Sequence, residues 1–133
     1  MKTTYLAEMI AQGGRNGMVG TPNDSLSVKL SNDDQPDSIT PEHLFAGAYA
    51  ASFLDSLQRS AAGSDLPLDG VTVTVRCHLA DDPTDTGRLK IDLRAHFPDL
   101  HDAVLLHLLN LAHQSCPYSR AIRDSIEVSL GIE

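Results

Sequence analysis

The sequence predicts an α+β fold: an antiparallel-rich sheet with two main helices. Segments 71–79, 89–97 and 126–132 alternate apolar and polar residues with period two, as strands do with one face on a core and one face wet. Segments 42–59 and 99–115 are rich in Ala and Leu and lack that alternation, so they read as helices. With a weaker strand pair upstream, the order is strand-strand, helix, strand-strand, helix, strand. That order suits a sheet with its helices on one side.

The weaker strands are 5–11 and 26–30, and Gly13-Gly14-Arg15-Asn16-Gly17 between them marks a turn or bulge. Residues 31–40 are a polar loop. Thr40 is placed to cap the first helix, with Pro41 in its first position and Glu42 beside the positive end of the helix dipole. Phe45, Tyr49, Phe53 and Leu57 recur every four residues as an apolar stripe. Ala46, Gly47, Ala48, Ala50 and Ala51 leave little bulk elsewhere, so this helix is expected to be covered on several sides. In the strand at 71–79 the inward positions are Val71, Val73, Val75, Cys77 and Leu79, and Cys77 reads as a small core residue. Residues 82–87 form a turn cluster that makes this strand and the next a hairpin. Asp99 is a candidate cap for the second helix, where Val104, Leu105, Leu108, Leu109, Leu111 and Ala112 cover more than one face. Two such helices in a short chain imply more burial than one protomer supplies, hence a homo-oligomer, most simply a two-fold dimer.

At 133 residues the chain is expected to be one domain, 1–133, able to bury roughly two-thirds of its unfolded surface. Its 41% hydrophobic and 21% charged residues are ordinary for a globular protein. Ten Lys+Arg against 18 Asp+Glu give a net charge of −8, and aromatics are only 5%, with no Trp. Phosphate backbones are repelled and stacking platforms are scarce, so no nucleic acid is expected. No apolar run approaches the ~18 residues of a membrane span. The first five residues lack the charged and apolar regions of a signal peptide. Two cysteines make no disulfide framework, so the expected compartment is the cytoplasm.

Among residues able to do chemistry, Cys116 stands out. It precedes Pro117, where a short helix can start, and a thiolate there gains from free N–H groups and from Arg120 and Arg123 nearby. A buried, inert cysteine fits equally well. Ser52 with His113 or His101 raises a serine hydrolase, yet its surroundings are mid-helix and lack the G-x-S-x-G elbow. The six histidines suggest no metal. Those at 101, 107 and 113 fall about 240° apart on a helix, and His43, His78 and His96 read as solvated.

Three segments together resemble the organic hydroperoxide resistance branch of the OsmC family. Gly14-Arg15-Asn16-Gly17 resembles its GRDG-type turn. TPEHLFAGAYAASF, at 40–53, resembles its NPEQLFAAGYAACF helix. AHQSCPYS, at 112–119, resembles its AHQVCPYS. The resemblance implies an OsmC-like intertwined homodimer with sites at the interface, and a cysteine-based peroxidase that reduces alkyl or fatty acid hydroperoxides. It implies no bound cofactor or metal, and an external lipoyl-type dithiol, dihydrolipoamide or a lipoylated protein, as reductant. Arg15 takes the part of the thiolate-stabilising arginine, Glu42 that of its orienting partner, and Cys116 that of the resolving thiol. That last role requires Cys116 to come within disulfide reach of position 52, about 7 Å between Cα atoms. Phe45, Tyr49, Phe53 and Leu54 could line the pocket or simply belong to the core.

The fourth family position departs from the pattern. Where the reactive cysteine is expected, this chain has Ser52. A serine oxygen cannot cycle through oxidation states as sulfur does, so the chain as written is expected to be inactive as a peroxidase. Two origins stay open: a catalytic thiol replaced by its near-isostere, or a natural serine with the activity lost or changed. On the second, the chain is a non-catalytic homologue that binds an apolar ligand or a partner. Geometry adds a constraint. Glu42 and Ser52 lie ten residues apart, roughly 15 Å of helix rise. An Arg15–Glu42 pair beside Ser52 needs a bent helix start, or else a contribution from the partner protomer.

Overall fold

The computed structural model describes residues 2–82, 85–99 and 102–133. The middle of the expected 82–87 turn and His101 therefore lie outside the described residues. The architecture is α+β, as predicted, with two three-stranded sheets. The chain divides into two compact units, 1–43 and 44–133.

In the first unit, β1 (Ile10–Gln12), β2 (Met18–Gly20) and β3 (Ser27–Lys29) form an antiparallel sheet in that order. The strands are shorter than the expected 5–11 and 26–30. A strand also follows the glycine-rich turn, since Met18–Gly20 is too short to show a period in the sequence. The turn is a single 3-10 turn over Gly14–Asn16. Gly13 (φ 83°) and Gly14 (φ 65°) occupy the left-handed region open to glycine. A Cβ at Gly17 would run into the carbonyl oxygen of Gln12, so no other residue fits there. The Leu30 N–H donates to the Gly17 carbonyl (2.8 Å), and the Asn32 N–H to Asn16 Oδ1 (3.0 Å). Loop 31–39 closes where the Ser31 N–H meets the Ile39 carbonyl at 3.0 Å.

Helix α1 (Pro41–Ser60) is one continuous element. In the second unit its stripe residues Tyr49, Phe53 and Leu57 are fully buried, with Phe45 half-buried against the same core. Gly47, Ala48 and Ala51 stay exposed. The expectation that α1 is covered on several sides is thus not met within one protomer, because small side chains present too little apolar area to draw in another element of the same chain. The long strands β4 (Thr72–Asp82) and β5 (Asp85–His96) pair antiparallel, with Cys77 opposite Ile91. β6 (Glu127–Ile132) joins β5 in parallel. That pairing needs a crossover, supplied by α2 (Asp102–Ser115) and the six-residue α3 (Pro117–Ile122).

The core of this unit joins the α1 stripe to Ile91, Leu93 and Ala95 of β5 and to Leu105, Leu108, Leu109 and Ala112 of α2. Cys77 is half-buried against it, as its inward strand position predicts. His78 and His96, at outward positions, are exposed. On α2, Val104, Leu106 and Leu111 remain exposed. Leu57→Ala should lower unfolding stability by about 3 kcal/mol, through lost burial and the cavity left behind. Urea unfolding followed by circular dichroism measures this, and a loss below ~1 kcal/mol would place Leu57 outside the core.

Candidate functional site

The structure brings the expected site residues together as two pairs. The first is Arg15 with Glu42. The glycine turn holds Arg15 between β1 and β2, and both guanidinium nitrogens donate to the Glu42 carboxylate, Nη1 to Oε2 at 3.0 Å and Nη2 to Oε1. This fork is the strong form of an arginine–carboxylate bond. The hydrogen bond from Arg15 holds the Glu42 carboxyl below its ordinary 4.5, against the opposing effect of burial. The same bond holds the Arg15 guanidinium above its ordinary range.

Glu42 sits in the first turn of α1, where the dipole favours its charge. The start of that helix differs from expectation. The Thr40 N–H donates to Nδ1 of His43 (3.0 Å), whose ring also lies 2.9 Å from the Thr40 hydroxyl. His43 thus plays the part that Glu or Gln plays in a capping box, which a search for Ser/Thr followed by Glu/Gln passes over. α1 is unbroken from Pro41.

The second pair is Ser52 with Cys116. Ser52 Oγ lies 3.7 Å from Cys116 Sγ. Ser52 is half-buried and Cys116 is fully buried. Cys116 occupies the junction between α2 and α3: its N–H donates to the Ala112 carbonyl at 2.7 Å, and its carbonyl accepts from the Arg120 N–H at 3.0 Å. Pro117 opens α3 without needing a donor.

Beside this pair lies a polar chain that sequence reasoning did not assemble. The Tyr49 hydroxyl is 2.6 Å from Ser119 Oγ, and Ser119 Oγ is 2.9 Å from His113 Nδ1. Tyr49 and Ser119 are fully buried. Burial pushes the Tyr49 phenol above its ordinary 10.0; the Ser119 bond opposes this, and charge on Cys116 adds to it. Burial, then the Arg123 cation, hold His113 below its ordinary 6.5. His113 is therefore tied to Ser119, and nothing aligns it with Ser52 as a hydrolytic base. The signal for this chain was the spacing: Tyr49 and Ser119 each stand three residues from a member of the Ser52–Cys116 pair.

No group of three or more His, Cys, Asp or Glu suited to a metal occurs among the described residues, and no helix there is long and apolar enough to cross a membrane. Glu42 and His113 lose protons more readily in the folded state, so their contribution is complete above the ordinary value and fades as pH falls. Thermal midpoints should decline below pH 6.5 as His113 is forced to protonate, and again below 4.5 as Glu42 does. Glu42→Gln should flatten the acid step and His113→Gln the step near neutrality. Profiles unchanged by these substitutions would contradict the assignment.

The model of the OsmC-like protein family matches residues 32–131. The chain is 36% identical over 135 residues to an organic hydroperoxide resistance protein of Xanthomonas axonopodis pv. citri, covering 97% of this chain and 94% of that one. It is similar to the crystal structure of an organic hydroperoxide resistance protein from Legionella pneumophila, with a TM-score of 0.89, 32% identity and 99% of each chain covered. It also matches the organic hydroperoxide resistance protein OhrB of Bacillus subtilis, with a TM-score of 0.85, 27% identity, and coverage of 98% of this chain and all of that one. A family match over residues 32–131, a relative at over a third identity along nearly the whole chain, and a shared fold together place this chain in the OsmC family.

Proposed function

We propose that this chain carries the redox site of an organic hydroperoxide resistance protein with its nucleophilic sulfur replaced by the Ser52 oxygen. The observation that carries this is the 3.7 Å contact between Ser52 Oγ and Cys116 Sγ. A sulfur in place of that oxygen would lie against Cys116 with little further approach needed for an S–S bond of about 2.05 Å. In the cysteine form, the thiolate attacks one peroxide oxygen. An S–O bond forms, the O–O bond breaks, and the leaving alkoxide takes a proton to become the alcohol. Cys116 then displaces water from the sulfenic acid to give a disulfide, which an external lipoyl-type dithiol, dihydrolipoamide or a lipoylated protein, reduces. The chain itself holds no cofactor in this scheme.

The resemblance gives Arg15 the part of the fixed positive charge that a thiolate in a partly apolar pocket requires, and Glu42 that of its orienting partner, a role the bidentate bond between them supports. We place the protein in the cytoplasm, where thiols stay reduced. The family resemblance points to an alkyl or fatty acid hydroperoxide as the substrate. The serine itself favours a second reading: a non-catalytic homologue that keeps the pocket for an apolar ligand or a partner.

We also propose a homodimer. The β1–β3 sheet consists of three-residue strands, all of β1 is exposed, and Tyr5 and Leu6 are 88% and 90% exposed. Such a sheet is too small to hold itself. The bare small-residue face of α1 and the exposed Val104, Leu106 and Leu111 of α2 supply further apolar area for a second copy. In a dimer the Arg15–Glu42 pair can come from either protomer.

The chain as it stands should show negligible dithiol-dependent turnover of cumene hydroperoxide. Ser52→Cys should raise it by orders of magnitude, and Arg15→Ala in that background should slow peroxide attack by at least about 100-fold, the scale of losing one charge-stabilising group. A Ser52→Cys protein that stays inactive would favour the non-catalytic reading. Light scattering at low micromolar concentration should give twice the chain mass, and a monomer there would refute the dimer.

A further inference from the structure

α1 and the short α3 meet through two contacts one helical turn apart. Residue 49 faces 119 in the first turn of α3 and residue 52 faces 116, the residue that caps the start of α3, so the order runs antiparallel, three residues apart in each segment. On α1, positions 49 and 52 share a face as i and i+3, and the cap residue Cys116 is joined to Ser119 by the first turn of α3. The two contacts are therefore neighbouring rungs of one ladder, and the geometry of the first constrains the second.

The rungs differ in strength. Oxygen to oxygen at 2.6 Å is a short hydrogen bond between two fully buried hydroxyls, whereas oxygen to sulfur at 3.7 Å is a weak one. α3 has only six residues and leaves α2 at Cys116 itself. A helix that short has no stability of its own. Ile122 packs its far end on the core, and its near end is tied through Ser119. His113, in the last turn of α2, holds Ser119 from the other side at 2.9 Å, so that Ser119 is fixed to two helices at once.

We propose that Tyr49, Ser119 and His113 are positioning residues: their hydrogen-bonded chain sets the α3 start so that Cys116 Sγ faces position 52, and so sets how readily those two positions form a disulfide. This deepens the redox reading of the site and rests on it. The three residues touch no reacting atom in this role.

The test is made in the Ser52→Cys protein without any peroxide. Oxidised glutathione takes two electrons from the thiols at 52 and 116, forming one disulfide and releasing two reduced glutathiones. The equilibrium constant, read by mass spectrometry across glutathione ratios, gives the reduction potential of the pair. Tyr49→Phe keeps the ring in the core and removes only the first rung. It should lower the disulfide equilibrium constant about tenfold, the scale of one buried hydrogen bond, which is ~30 mV toward easier reduction. Ser119→Thr keeps a hydroxyl and should retain the parental value, while His113→Leu should lower it by a smaller factor. If Ser119→Ala fails to fold because it orphans the Tyr49 hydroxyl, Tyr49→Phe and His113→Leu still decide the matter.

A role confined to fold stability would shift the unfolding midpoints of the reduced and oxidised forms together and leave the potential unmoved. An unchanged potential in Tyr49→Phe overturns the proposal, as does failure of the parental pair to form a disulfide at all. Normal potential shifts in a protein that does not turn over peroxide would instead count against the peroxidase reading and leave the positioning role standing.

Discussion

The rotation of α1 about its own axis is the constraint on which the site depends. Tyr49, Phe53 and Leu57 are buried completely, against strand and helix residues that are themselves buried. Together these three side chains gain several kcal/mol from leaving water, at about 1.5–3 kcal/mol each. No alternative rotation offers a comparable stripe, because outside it the helix carries only two large apolar side chains, Leu44 and Leu54, among Ala, Gly and polar residues. Once the stripe is inward, position 52 must lie at the edge of the core beside Cys116, and Ala51 must point out.

The polar groups near that edge are handled by pairing. Tyr49, Ser119 and His113 satisfy one another, and among the described residues no buried side-chain oxygen or nitrogen lacks a partner. This matters because an unpaired buried hydroxyl costs 1–3 kcal/mol or so. It also explains why a serine at position 52 is compatible with the fold. The hydroxyl is close in size to a thiol and finds Cys116 as a weak partner. The difference from a thiol is chemical: a serine oxygen neither ionises near neutral pH nor accepts the oxygen atom of a peroxide. The Arg15–Glu42 pair needs nothing from position 52 to remain intact, since the bidentate bond satisfies both charges.

The strands at 71–79, 89–97 and 126–132, helix α1 with its inward stripe, and the glycine turn bearing Arg15 were all legible in the sequence. Alternation, helical spacing and positive-φ turns are local consequences of sterics and of which side chains avoid water. The site residues were legible through the three matching segments, which fix residue identity but not distance. The sequence left unresolved the brief β2, whose three residues carry no period, and the His43 cap, whose residue type lies outside the usual pattern.

By itself, then, the sequence determined the fold class, the identity of the four candidate site residues and the absence of sulfur at position 52. The tertiary structure alone decided that β6 runs parallel to β5, that the alanine face of α1 stays bare in one protomer, and that Tyr49 meets Ser119 across 70 residues of chain. The reason is physical. Periodicity reports which face of an element turns from water, a property of neighbouring residues. Which elements then meet, and in what register, is set by packing distant surfaces together at crystal-like density, where a single turn of α3 places one hydroxyl within 2.6 Å of another.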